Sequence, residues 1–137
     1  MSPVGDKAII LRIADNQDVI PEIKKFITSQ SEKYLQITNM VGRLREFEIM
    51  ITGRQSNSTK KFFRESHKII NSSGMFENTG GEPEVKIHMS LSKDGFSSSG
   101  GRLLSGKASG ELIIGLKSVE ENKAVKQTYS ALSVRAS

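Results

Sequence analysis

The sequence predicts an α+β fold in which a mostly antiparallel sheet packs with at least one amphipathic helix. Three observations carry this. Glu84 to Ser92, EVKIHMSLS, alternates strictly between apolar and polar residues, as a half-buried strand requires. Asp15 to Ser31, DNQDVIPEIKKFITSQS, repeats its apolar residues with helical spacing instead. The remaining apolar runs are short and separated by turn residues.

Taken in order, Lys7 to Ile13 (KAIILRI) reads as a first strand. A helix from about Val19 to Ser29 follows, with Asp15, Asn16 or Asp18 as N-cap acceptor. Pro21 falls in the first turn, where its missing donor costs little, and Ile20, Ile23, Phe26 and Ile27 share one face. Leu35 to Val41 is a second strand, and Gly42 is expected to break it before LREFEIMI, where Phe47, Ile49 and Ile51 alternate with Glu46, Glu48 and Met50. RQSNST reads as a turn or exposed loop, and KKFFRESHKII, compatible with strand or helix by propensity alone, is read as further strand. Lys93-Asp94-Gly95 supplies turn chemistry after Leu91, and a return strand is expected near Arg102. Glu111 to Val119, ELIIGLKSV, is a buried strand with Gly115 at a bulge or close contact. The whole chain, 1–137, is expected to be one domain with its core over about 7–120 and a C-terminal extension over about 121–137.

Composition narrows the function. There is no cysteine, hence no disulfide framework, thiolate metal site or thiol nucleophile, and a cytoplasmic location is expected. No apolar run is long enough to span a membrane. The chain has 20 Lys plus Arg against 15 Asp plus Glu, a net charge of +5. Most of the excess lies between Arg54 and Lys68, where Arg54, Lys60, Lys61, Arg64 and Lys68 face one acid, Glu65. These five cations are the candidate nucleic-acid contacts, because a local positive cluster attracts polyanions. Within it, KKFFR interleaves aromatic and basic residues as single-strand binders do, although a strand with buried phenylalanines and solvated cations has the same pattern. His67 reads as an ordinary surface or edge histidine.

Catalytic patterns fail on inspection. GRLLSGKA, Gly101 to Ala108, lacks the hydroxyl that would hold magnesium in a phosphate loop. Ser97, His88 and Asp94 have no nucleophile elbow around them, and Glu46 and Glu48 occupy the polar side of a strand. A non-enzymatic protein without a cofactor is expected.

Lys86 and His88 share one strand face roughly 7 Å apart, and a return strand could bring Arg102 beside them. The order of features resembles the plant and prokaryote conserved (PPC) domain family over about Lys7 to Glu120. The resemblance rests on Leu11-Arg12 before the helix, Gly42 in a V-G-x-L step, Ser73-Gly74 ending a strand, Gly81-Glu82-Pro83 leading into the alternating strand, Asp94-Gly95, and Gly100-Gly101-x-Leu103. It implies a strongly bent antiparallel sheet of about seven strands with one or two helices, assembled as a homotrimer, and an association with DNA. Prokaryotic members often carry G-x-P-x-x-H-x-H and a later G-G-H-L, whose imidazoles can gather a metal.

Here Lys86 and Arg102 stand in place of two of those histidines and only His88 is kept. Two cations about 5 Å apart repel by roughly 3 kcal/mol at an effective dielectric near 20, and a dication beside them fares worse. No metal is therefore expected. Lys86, His88 and Arg102 become a candidate site for a small anion, in a ligand-binding protein or an enzyme as the alternative function, with neutralisation by Glu84 or another acid as the plain reading. The sequence has no Arg-Gly-Arg-Pro hook to enter a minor groove.

Overall fold

The computed structural model describes residues 8–52 and 57–119. Arg54, with the first half of RQSNST, and the expected C-terminal extension lie outside the described residues. The elements run β1 (Ala8–Ile13), α1 (Val19–Thr28), β2 (Tyr34–Thr52), β3 (Ser58–Phe63), β4 (His67–Glu77), β5 (Glu84–Ser92) and β6 (Ser99–Ser118). This is the expected α+β architecture, with six strands in the order β1-β6-β5-β4-β2-β3 and an added β6–β2 pairing. Every pairing is antiparallel. The β6–β2 pairing closes β2, β4, β5 and β6 into a ring, so the sheet is bent back upon itself.

Two breaks expected from glycine do not occur. Gly42 has φ +144°, a conformation that favours glycine, yet the strand continues through it. The register of β2 on β6 slips between Val41 and Arg43 at this point. The slip is a bulge that turns the strand without ending it. Ser73-Gly74 likewise lies inside β4, because the Lys86 carbonyl of β5 comes so close that a Cβ at Gly74 would strike it. The sheet therefore has six strands where about seven were expected, since β2 and β6 each run through what reads as two shorter strands.

The core is the inner face of the ring plus one helix stripe. Leu35, Leu44, Phe47, Ile49, Phe76, Ile87, Leu91, Leu112 and Ile114 are buried, as are Val19, Ile23 and Ile27 of α1. Asp18 sits at the N-cap of α1 but makes no side-chain cap bond. Asp15 is engaged elsewhere, accepting from the Gly110 N–H at 2.7 Å and from Arg45 at 3.1 Å. At the other end of the helix, Asn78 Nδ2 donates to the carbonyls of Ile27 and Gln30, both at 3.2 Å. These bonds tie α1 to the loop entering β5. Among the described residues no helix is long and apolar enough to cross a membrane.

Candidate functional site

The alternation read from EVKIHMSLS sends Ile87, Met89 and Leu91 into the core and leaves Lys86 and His88 exposed. A hairpin then returns the chain. Gly95 adopts φ +84° at its tip, and the Ser92 hydroxyl donates to the Ser97 carbonyl at 2.6 Å and accepts from the Gly95 N–H at 2.8 Å. Asp94 Oδ1 accepts the N–H groups of Phe96 and Ser97 at 2.9 and 3.1 Å. Asp94 is thus a turn cap. These bonds set the β5–β6 register in which His88 lies directly opposite Arg102.

Those two amide bonds, Phe96 first, hold the Asp94 carboxyl below its ordinary value of 3.8. A depressed folded value means that the stabilisation is present above the ordinary value and is lost as pH falls through the depressed one. We expect the protection of the Phe96 and Ser97 amides, relative to their intrinsic exchange at each pH, to fall across that acid range. In Asp94→Ala the two amides should lack that protection at every pH. Hydrogen-exchange NMR against pH checks both.

Register extends the His88–Arg102 pair in both directions. Ser73 of β4 faces His88, Met50 of β2 faces Arg102, and Lys60 of β3 faces Met50. Directly opposed residues in a sheet point to the same face. The row Ser73, His88, Arg102, Met50, Lys60 therefore crosses five strands on the outer surface. With strands about 4.8 Å apart, His88 and Lys60 are separated by roughly 14 Å of sheet. Lys68, opposite Ser92, lies on the same face farther along β4.

The predicted residues divide accordingly. Arg102, His88, Lys60 and Lys68 share one face and are exposed. Lys86 is on that face too, but its ammonium stands 3.7 Å from Glu84, and it does not border the groove beside His88. Lys61 points the other way, opposite the buried Ile49, and lies 5.3 Å from the centre of the Phe63 ring. Arg64 is exposed just beyond β3.

The two phenylalanines of KKFFR part company. Phe63 stacks on buried Phe47 with ring centres 5.0 Å apart, whereas Phe62 is 56% exposed on the outer face beside Glu48. His67 corrects the expectation of a surface histidine: it is only 8% exposed, edge-on to Phe47 and Phe63 at 5.1 and 5.0 Å, and its Nδ1 is 2.9 Å from the Glu65 carbonyl oxygen. The reason is register. His67 pairs with buried Leu44 and so turns inward.

A groove of about 660 Å³ opens on the outer face, lined by Asn71, Ser73, His88, Ser90 and Arg102, with Met50 and Thr52 along one side. Its polar lining from β4 was not legible as a site, since Asn71 carries no motif and Ser73 entered only as the end of a strand. Ser90, like His88, was visible on the polar side of EVKIHMSLS. Gly101 makes the groove possible by letting β6 approach β2: a Cβ there would run into the Met50 carbonyl oxygen.

Comparison with known proteins agrees with this architecture. The profile of the Plants and Prokaryotes Conserved (PCC) domain matches residues 2–119. A plant- and prokaryote-conserved protein from Pyrococcus horikoshii superposes with a TM-score of 0.71 at 22% identity, over 84% of this chain and 80% of its own. A metal-containing protein from Archaeoglobus fulgidus gives 0.71 at 25% identity, over 85% and 83%. A protein from Bacteroides thetaiotaomicron described as a "putative DNA-binding protein" gives 0.73 at 19% identity, over 88% and 83%. A search of curated proteins finds no match.

A metal does not suit the residues present here. His88 is flanked in register by a serine and an arginine, and the groove lining offers one imidazole and no carboxylate, short of the three protein ligands an ordinary zinc site uses. With the fold and the profile match over 2–119 in agreement, the chain belongs to the Plants and Prokaryotes Conserved domain family.

Proposed function

We infer that this domain is a non-enzymatic, cytoplasmic, DNA-associated binding module that works as a homotrimer. The observation that carries the reading is the outer-face row in which Lys60 joins Arg102 and His88, with Lys68 on the same face. Cations spread over one exposed sheet face neutralise phosphates in a way that depends on charge and not on base sequence. The solved relative from Bacteroides thetaiotaomicron, with its DNA-binding description, lends support. Three copies in one assembly would present the face three times and raise the overall affinity through effective concentration.

Fluorescence anisotropy with labelled duplex, repeated across salt concentrations, tests it. Replacing Lys60 and Lys68, the outer-face cations outside the groove, together by alanine is expected to weaken binding about equally for unrelated sequences. The slope of log K against log salt should fall by roughly 0.9 for each phosphate that is no longer neutralised. An unchanged affinity and slope would remove Lys60 and Lys68 from the interface.

A further inference from the structure

The groove at His88 contains more hydrogen-bonding capacity than the protein itself uses. Asn71, Ser73, His88, Ser90 and Arg102 line it, and within the described residues none of these five side chains has a hydrogen-bond or ion-pair partner. Gly100 and Gly101 leave one wall without side chains. His88 and Arg102 are the charged or titratable groups of the lining. The nearest acid along β5, Glu84, is not part of it and stands 3.7 Å from the Lys86 ammonium instead.

These groups are donors arranged around a cation. Arg102 presents a planar fork of N–H groups, His88 a ring N–H, Ser73 and Ser90 hydroxyls, and Asn71 an amide NH₂. Cross-strand neighbours such as His88 and Arg102 have Cβ atoms about 5 Å apart, close enough for both side chains to reach one group lying between them. A carboxylate, with two oxygens, would leave part of this set unused. A tetrahedral oxyanion offers an oxygen to each strand that borders it, and its negative charge complements the Arg102 guanidinium.

We propose that the groove between β4, β5, β6 and β2 binds a phosphate-class oxyanion, gripped by Arg102 and His88 and oriented by Asn71, Ser73 and Ser90. The phosphate can belong to a small phosphorylated molecule or to a nucleic-acid backbone, and the chemistry at the groove is the same. The site shares Arg102 and His88 with the DNA reading, but its ligand is one anion at one place, whereas the DNA reading also needs Lys60 and Lys68 across the sheet face.

The test is a titration of the full-length protein with inorganic phosphate at constant ionic strength, followed by ¹H–¹⁵N chemical shifts. Saturable shifts are expected at the amides of His88, Ser90, Gly100 and Gly101. Arg102→Ala should weaken binding by about tenfold, the usual scale for losing a hydrogen bond to a charged group. Arg102→Lys, which keeps the charge and loses the fork, should fall between, and Lys25→Ala, which removes an exposed cation in the last turn of α1, should bind phosphate as the wild type does. Arg102 is exposed, and an unaltered spectrum of the free variant establishes that the fold has survived.

Shifts that do not saturate, that appear equally with chloride, or that persist unweakened in Arg102→Ala overturn the proposal. A second arm adds a short DNA duplex to the phosphate-saturated protein. Displacement of phosphate assigns the groove to a backbone phosphate, and duplex binding with the phosphate shifts intact assigns it to a free phosphorylated molecule. Because the first arm contains no nucleic acid, loss of phosphate binding and loss of DNA binding are separate results.

Discussion

Phe47→Ala is expected to destabilise the fold by about 3–5 kcal/mol, the range for truncating a fully buried phenylalanine. Phe47 is completely buried, stacks on Phe63 and meets His67 edge to face. Its Cβ also lies 2.8 Å from where a Cβ at Gly106 would be, so β6 is packed directly against it. The ring fills the junction of β2, β3, β4 and β6, and these elements cannot all move in to close the space it would leave. A loss of this size is a large share of the roughly 5–15 kcal/mol that stabilises an ordinary domain. Urea unfolding followed by circular dichroism would register it as a lower midpoint with an unchanged slope. A loss below about 1 kcal/mol would mean that the aromatic cluster contributes little.

Gly101→Val should cost about 1–3 kcal/mol, the scale of forcing extra atoms into a closed packing, and should also disturb the candidate site. The atom that a Cβ at Gly101 would strike is the main-chain oxygen of Met50, so no side chain can swing aside to make room. β6 would have to move away from β2 at the position where Arg102 pairs with Met50. Gly81→Ala is the natural contrast, because its nearest neighbour is the Thr79 hydroxyl at 4.0 Å. That change should stay within about 0.5 kcal/mol of wild type, as surface substitutions generally do. Denaturation midpoints of the two variants, with amide shifts at Met50 and Arg102, separate a local clash from a general intolerance of side chains at glycine.

Much of the fold was legible because its elements announce themselves locally. The period of two in EVKIHMSLS gave β5 its full extent, Glu84–Ser92, and its buried side. The spacing of Ile23 and Ile27 gave α1 within a residue of its end. Lys93-Asp94-Gly95 was identifiable as a turn, and the structure adds the carboxylate bonds that close it. Gly42 and Gly74 were harder. A glycine in a strand-like run can signal a break, a bulge or a close approach, and which one holds depends on what lies across the sheet. For Gly42 it is Leu112 and Glu111, and for Gly74 the carbonyl of Lys86.

The amino-acid sequence by itself determined the buried side of β5 and of α1, the turn at Lys93-Asp94-Gly95, and the excess of positive charge. Only the tertiary structure decided who stands beside whom. Arg102 lies opposite His88, and Lys60 joins the same row two strands farther on. His67 turns inward to the phenylalanines, while Lys86 stands beside Glu84 outside the groove. Alternation fixes a face but not a partner, since every register that differs by two residues buries the same apolar set. The choice among those registers is made by the hairpin at Asp94-Gly95, the bulges of β2 and the glycines that let strands approach. Most of these features join residues far apart in the chain, and a local pattern carries no record of them.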